Sequence, residues 1–292
     1  MKPLFIDKKI NIVSGDKAKE ALKKENDLAF FERGKGVTRV SIERWLKAQE
    51  CEKNHWMIRG IKSINDRNDY HEKQFEGYKS LKFMNFPSVI EIGCGPFTNA
   101  RIIAKKSNIN EITLLDPLIN EYLNHPFARY NKNYLFVEYF PLIGKLFKKL
   151  FPMFFKQYLY LFSKKIKIKN LLDIPAEKIS SGNSYDLVIM INVLEHCYDA
   201  ELVLNNTTKI TREGGFLIFE DKIYEADLVQ EELNYCYDAA HPLKVDRSII
   251  EKFLKENFEV VYKRIQTNSL IFEGEKIIWD DIYFIGVKKL KL

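Results

Sequence analysis

The sequence predicts an α/β protein built around a mainly parallel sheet. Three observations carry this. From Ser88 onward, short and nearly continuous apolar runs alternate with helical segments, as in strands covered on both faces. The first run ends in a glycine-rich turn that opens a helix, EIGCGPFT (91–98). The last two runs have no clear helix between them and are expected to pair antiparallel.

Residues 1–86 read as a polar, helical cap. Ser41 is placed to cap a helix with Ile42, Trp45 and Leu46 on one face. A second helical run, DYHEKQFEGYKSLKF (69–83), leads to Pro87. The core then spans 87–292. Its expected strands are 88–92, 112–116, 186–192, 216–220, 258–264 and 281–289. A helix begins at Asp199 and stops at Gly214–Gly215. Another begins near Asp246 and buries Ile249, Ile250, Phe253 and Leu254. A long loop around Gly274 joins the last two strands.

One stretch interrupts the alternation. Residues 122–170 are too long for a helix and return, and are expected to be a basic, aromatic, helical insertion. From Tyr139 to Asn170 there is no acid, while Lys145, Lys148, Lys149, Lys156, Lys164, Lys165, Lys167 and Lys169 are basic. In PLIGKLFKKLF, Leu142, Ile143, Leu146, Phe147, Leu150 and Phe151 share one helical face and the lysines the other. That pattern fits peripheral contact with a membrane through 139–170, or packing on the domain or on a second subunit as a homodimer.

The chain has 292 residues, a net charge of +6 and 46% hydrophobic residues, so it can form a core. The charge is too small to imply a nucleic-acid partner. Cys51, Cys94, Cys197 and Cys236 form no CxxC pair, which argues against a zinc or disulfide framework and for a reduced, cytoplasmic setting. The N-terminal residues lack the apolar core of a signal peptide. No run reaches the roughly 18 apolar residues that span a bilayer.

Gly93 and Gly95 let the backbone turn sharply and approach a ligand. A nicotinamide fingerprint would need glycine at position 98, which is Thr98, and a P-loop Gly-Lys-Ser/Thr is absent. Glu91 just ahead of the turn disfavours a pyrophosphate and tolerates an ammonium. Asp116 ends the second strand and can accept two hydrogen bonds from a ribose. Asn192 to His196 follow the next strand, at the end of a parallel sheet where ligands bind.

EIGCGPFT, LLDP, PAEKISSGNSYDLVIMINVLEH and LVLNNTTKITREGGFLIFED together resemble the class I S-adenosylmethionine-dependent methyltransferases. The resemblance covers roughly 88–221. It implies a Rossmann-like seven-stranded sheet in the order 3-2-1-4-5-7-6, with S-adenosylmethionine as cofactor. By position, Gly93, Cys94 and Gly95 would pass beneath the methionine part, with Glu91 near its amino group. Asp116 would hold the ribose, and Pro117 and Leu118 would border the adenine. Ala176 and Glu177 match the adenine-edge segment, and Asn192, Val193 and Leu194 the methionine side. In two places the sequence departs from the family. Phe97 replaces the usual third glycine, and Pro175 stands where the adenine-edge acid is usual, leaving Asp173 or Glu177 to supply it. The N-terminal WLKAQECEKNHW is similar to segments preceding the core in enzymes of bacterial surface-polysaccharide and related pathways.

Methyl transfer needs alignment and, for a hydroxyl acceptor, a base. The stretch FEDKIYEADLVQEELNYCYDAAHPLKV offers Glu220, Asp221, Tyr237, Asp238 and His241. His241 and Asp221 are the catalytic candidates, with His241 readable also as a loop-stabilising residue. Trp45, Tyr70, His71 and Tyr237 are candidates for substrate binding, with Trp56 and Tyr78 beside them as further cap aromatics, each also readable as core. The expected activity is methylation of an oxygen or nitrogen on a small molecule, such as a sugar or glycan precursor. The alternatives are a lipid-linked or membrane-associated acceptor, reached from the inner membrane face, and a methyltransferase fold that only binds. A nicotinamide oxidoreductase is a third.

Overall fold

The computed structural model describes residues 34–59, 75–180, 184–225, 239–272 and 275–290, with 13–14, 20, 31–32, 182 and 236–237 besides. Eight strands share one sheet: β1 (Asn85–Ile92), β2 (Asn108–Leu115), β3 (Tyr134–Glu138), β4 (Ser163–Leu172), β5 (Tyr185–Ile191), β6 (Thr211–Ile223), β7 (Phe258–Phe272) and β8 (Glu275–Lys288). They lie in the order β7-β8-β6-β5-β1-β2-β4-β3. Pairing is parallel from β4 through β2, β1 and β5 to β6. β8 runs antiparallel to β6 and β7, and β3 antiparallel to β4. Without β3 the chain order is the expected 3-2-1-4-5-7-6, so the Rossmann-like class holds and the strand count rises from seven to eight.

The extra strand and its neighbour correct the reading of 122–170 as helical. In SKKIKIKN, Ile166 and Ile168 are buried while Lys165, Lys167 and Lys169 are exposed. A two-residue period is a strand with one wet face, whatever its charge. The apolar β3, YLFVE, closes that edge. Between them lie two helices. Pro87 sits inside β1 because pairing with β5 begins only at Val89, so its missing N–H removes no bond from that ladder.

Helices flank the sheet: α1 (Ile42–Asn54), α2 (Pro141–Leu150), α3 (Phe155–Phe162), α4 (Ala200–Ile210) and α5 (Arg247–Asn257). Ser41 caps α1 by accepting from the Arg44 amide at 3.1 Å. The buried face of α1 is Arg44, Trp45, Ala48 and Gln49, while Ile42 and Leu46 are exposed. Asp199 caps α4, which ends at Ile210 rather than at the glycine pair, because Thr211 already enters β6. Gly214 and Gly215 lie within that long strand. Asp246 caps α5, whose inner face is Ile250, Phe253 and Leu254 with Ile249 half-buried. β7 and β8 form a hairpin whose connecting residues 273–274 lie outside the described ones.

Apolar clusters fill both faces of the sheet. One joins Ile90, Val188, Met190 and Phe219 to α4, α5 and Trp45. The other joins Val89, Leu114, Ile189 and Ile218 to Phe75, Tyr78 and Ile103. β5 is buried at every position, as a central parallel strand must be. A third cluster, aromatic, ties α3 and β3 to the glycine turn through Phe97, Phe127, Phe136, Phe155 and Tyr158.

Candidate functional site

The turn after β1 is held in place by the strand that precedes it. Glu91, fully buried, accepts the Thr98 hydroxyl and the amides of Asn99 (2.6 Å) and Ala100 (3.0 Å). Burial pushes its carboxyl up to about 7 against the pull of those hydrogen bonds. The amides of Gly93 and Cys94 both donate to the Leu115 carbonyl at the end of β2 (2.8 and 3.2 Å). Gly93 has φ +65°, and a Cβ there would meet Val193 Cγ2 at 2.5 Å. Gly95 has φ +53° and nothing within 4 Å of an added Cβ, so its face is open to a ligand.

Phe97 packs inward from this turn. It is 3% exposed, set edge-on to Trp56 (5.6 Å between centroids) and to His125 (5.4 Å). The Lys148 ammonium lies 5.4 Å from its centroid and 4.4 Å from that of Phe127. Where the family commonly has a glycine, this chain has an aromatic anchor. Tyr130 adds a second hold, donating to the Gly95 carbonyl at 2.9 Å, and Cys94 is buried beside it.

Asp116 sits at the tip of β2, buried, accepting from the Gly95 amide (3.0 Å) and the Leu118 amide (2.9 Å). Each carboxylate oxygen keeps a lone pair for a hydroxyl. Desolvation raises its carboxyl to about 6, and nearby Glu52 adds to the rise. Pro117 and Leu118 are half-buried just beyond. Glu177 is turned away from this tip: it accepts from the amides of Tyr198 (2.5 Å) and Asp199 (3.0 Å). Asp173 is exposed and takes a hydrogen bond from Asn120 at 2.5 Å. Of the two acids considered for the adenine edge, only Asp173 stands on the open side. Ala176 is buried, its carbonyl within 3.4 Å of the Asn206 amide.

The polar turn after β5 carries Asn192 (φ +54°), Val193, Leu194, Glu195 and His196. Asp221, from β6, accepts both the Val193 amide (3.1 Å) and the Leu194 amide (2.6 Å). Its carboxyl is buried and raised to about 7 by desolvation, with Glu195 adding to the rise. Asp221, a catalytic candidate from the sequence, thus holds the two amides that shape this turn. Glu195 is the charged hub of the turn. Both its oxygens take Lys222 Nζ (2.8 and 3.0 Å), and Tyr224 donates to it at 3.0 Å. Burial alone would raise its carboxyl, but His241, Lys222 and His196 outweigh burial and hold it well below the ordinary range.

His241 Nε2 lies 3.5 Å from Glu195 Oε1, and its ring is 4.6 Å from that of His196. His196 Nδ1 is 3.2 Å from the Ala240 carbonyl and 3.7 Å from Glu52 Oε1. Glu52 comes from α1, which lies across the C-terminal edge of the sheet. Trp45 Nε1 and Gln49 Nε2 both donate to the His196 carbonyl (3.1 and 3.2 Å), and Arg44 donates to the Ala239 carbonyl (2.7 Å). Donor atoms of Glu52, His196 and His241 lie within 4.8 Å of one another. That grouping suits a polar acceptor, and its two imidazoles and carboxylate are also ligands that a divalent cation accepts.

The structure thus joins His241 to the turn after β5, and Trp45 to the same turn as a hydrogen-bonding strut rather than an open aromatic wall. Tyr78 is core, stacked on Phe75 at 4.6 Å. Tyr70, His71 and Asp238 lie outside the described residues, as does the side chain of Tyr237. Sequence reasoning missed Glu52, Glu195, Lys222 and Tyr224. VLEH and EDKIY hold the signal for three of them, since an acid beside a histidine and a lysine on a buried strand both require partners.

An open parallel sheet with a tight glycine turn after its first strand, an acid at the tip of the second and a polar turn beyond β5 defines a class I methyltransferase. The donor set fits S-adenosylmethionine: an uncovered glycine face for the chain of the cofactor and a carboxylate with lone pairs to spare for its ribose. The chain belongs to the methyltransferase-domain family, whose profile matches residues 32–262, and S-adenosylmethionine is its cofactor. Among solved structures it is similar to a protein from Bacillus halodurans C-125 assigned as a methyltransferase. Identity is 13%, with 76% of this chain and 100% of that chain covered and a TM-score of 0.52. It is also similar to the N-methyltransferase NodS of Bradyrhizobium japonicum WM9 in complex with S-adenosyl-L-homocysteine. There identity is 15%, with 81% and 98% covered and a TM-score of 0.46. The first likeness shows a shared fold. No curated protein matches the sequence.

Proposed function

We propose that the protein methylates a hydroxyl or amine of a small-molecule acceptor, of the sugar or glycan-precursor kind, with His241 as the base. The observation that supports this most directly is the His241–Glu195 contact beside the turn after β5. When bound, S-adenosylmethionine supplies an electrophilic methyl on a sulfonium. The protein's own residues do the rest. Glu195 keeps a proton on His241 Nε2 and leaves Nδ1 as the basic atom. When Nδ1 takes the acceptor's proton, the Glu195 carboxylate stabilises the imidazolium, and Lys222 and Tyr224 hold that carboxylate still. Glu52 and His196 orient a polar acceptor from the α1 side. Asp221 fixes the turn from which Glu195 and His196 project.

The test uses methyl-labelled S-adenosylmethionine with fractionated extracts of cell-envelope precursors. Label should enter one fraction, and His241→Gln should lower that rate by about 100-fold or more while S-adenosylhomocysteine affinity stays unchanged. Label transfer unaffected by His241→Gln would remove the histidine from the mechanism. No transfer to any fraction, with cofactor affinity intact, would favour a fold that only binds. A lipid-linked acceptor is a second reading, favoured by the exposed apolar surface of 139–162; label in the organic-solvent phase would select it.

A further inference from the structure

The amphipathic segment 139–162 turns much of its apolar surface outward. α2 turns Gly144 and Lys148 inward and Phe147 half-inward, while Leu142, Ile143, Leu146 and Leu150 are exposed. Leu142 is 80% exposed and Met153, in the turn after α2, 86%. Tyr139, Phe140, Phe154, Leu161 and Phe162 continue the same surface. Most of the large apolar side chains exposed among the described residues belong to this one segment. A soluble surface rarely gathers so many in one place. Lys145 and Lys149 stand exposed beside them, and Lys165 and Lys167 project from the neighbouring β4. Residues 139–170 hold no acid.

We infer that this surface is a docking site for an anionic lipid bilayer, with α2 lying in the interface plane. An interfacial helix needs an exposed apolar stripe that the bilayer can bury and flanking cations, and both are present. Charge decides between a bilayer and a second copy of this chain. A two-fold contact through α2 would set Lys145 and Lys149 against their own copies with no acid in the segment to offset them. An anionic headgroup layer presents charge opposite to theirs. The rest of the segment is already committed inward. Phe155, Tyr158 and Leu159 are buried in the aromatic cluster, and the Arg129–Glu138 pair at 2.7 Å fixes the end of β3. The outer face can therefore insert without unfolding the inner one. Lys148, on the inward face of α2, links this helix to the cofactor turn through Phe97. The inference does not depend on which acceptor is methylated.

The experiment is co-sedimentation of the full chain with vesicles of phosphatidylcholine, alone or mixed with phosphatidylglycerol. Binding should favour the anionic vesicles by about tenfold or more at low salt and fall as salt screens the lysines. Leu142→Asp/Leu146→Asp should abolish binding, with melting temperature and S-adenosylhomocysteine affinity unchanged, since both side chains are exposed. Lys145→Glu/Lys149→Glu should remove only the preference for anionic lipid. Failure of the wild-type chain to pellet with anionic vesicles would overturn the inference. So would binding that survives Leu142→Asp/Leu146→Asp, or a stable dimer by light scattering that this double variant dissociates.

Discussion

Gly93→Ala tests whether the cofactor turn is shaped by its contact with the turn after β5. Two separate terms add at this position. An alanine held at φ +65° costs about 1–2 kcal/mol against glycine. Its Cβ would also sit 2.5 Å from Val193 Cγ2. Val193 cannot swing away freely, because its amide and that of Leu194 are bound by Asp221. Overpacking of this kind adds about 1–3 kcal/mol. The sum, roughly 2–5 kcal/mol, should lower the melting temperature by about 3–8 °C in a chain of this size. Val193→Ala in the same molecule separates the terms. It removes both Cγ atoms and leaves Val193 Cβ 3.3 Å away, a gap that a small shift absorbs. In that background Gly93→Ala should cost only the backbone term, about 1–2 kcal/mol by denaturant titration. An equal cost in both backgrounds would show that Val193 is not the obstacle. No cost in either would refute the left-handed geometry of the turn.

Further outcomes follow from buried charges. S-adenosylhomocysteine binding should weaken at least about tenfold in Asp116→Ala, with the melting curve retained, as calorimetric titration can show. In the wild type the same affinity should be flat at alkaline pH and decline as pH falls through about 6, where Asp116 takes up a proton and loses acceptor capacity. The stability effect has the opposite sign. The folded values of Glu91 and Asp116 lie above their unfolded ones. The stability they contribute is therefore complete near pH 4 and lost as pH rises through about 6 to 7, and Glu91→Gln should flatten that part of the profile. Arg129→Ala should destabilise the fold by about 3–5 kcal/mol because it strands Glu138, which is buried with it. Arg129→Met/Glu138→Leu should recover most of the loss in the same denaturant titration.

How far the sequence could be read depended on the range of the forces involved. Local signals were sufficient for β1, β2, β5, β6 and β8, where apolar runs meet glycine or a capping acid. They were also enough for the caps Ser41, Asp199 and Asp246, whose side chains bond amides two or three residues away. β4 is masked by its charge: its lysines mark the wet face of a strand, yet they sit in the same acid-free run as the basic helix before it. The cofactor turn was legible because glycine is needed where φ is positive. The role of Phe97 was not, since its partners Trp56, His125 and Lys148 come from three distant segments. The same holds for Asp221 and Glu52. A carboxylate at the right place in the sequence says nothing about whether it faces a ligand or an amide, and that choice is made by packing.

Apart from the contact of Glu52 with the His196 ring, the grip of α1 on the active-site rim is addressed to main-chain atoms. Trp45, Gln49 and Arg44 reach the carbonyls of His196 and Ala239 and ignore the side chains there. Any residue at 196 or 239 presents the same carbonyl. Closure and chemistry are consequently separable traits: the residues facing the acceptor are free to diverge toward new substrates while the latch above them keeps its hold.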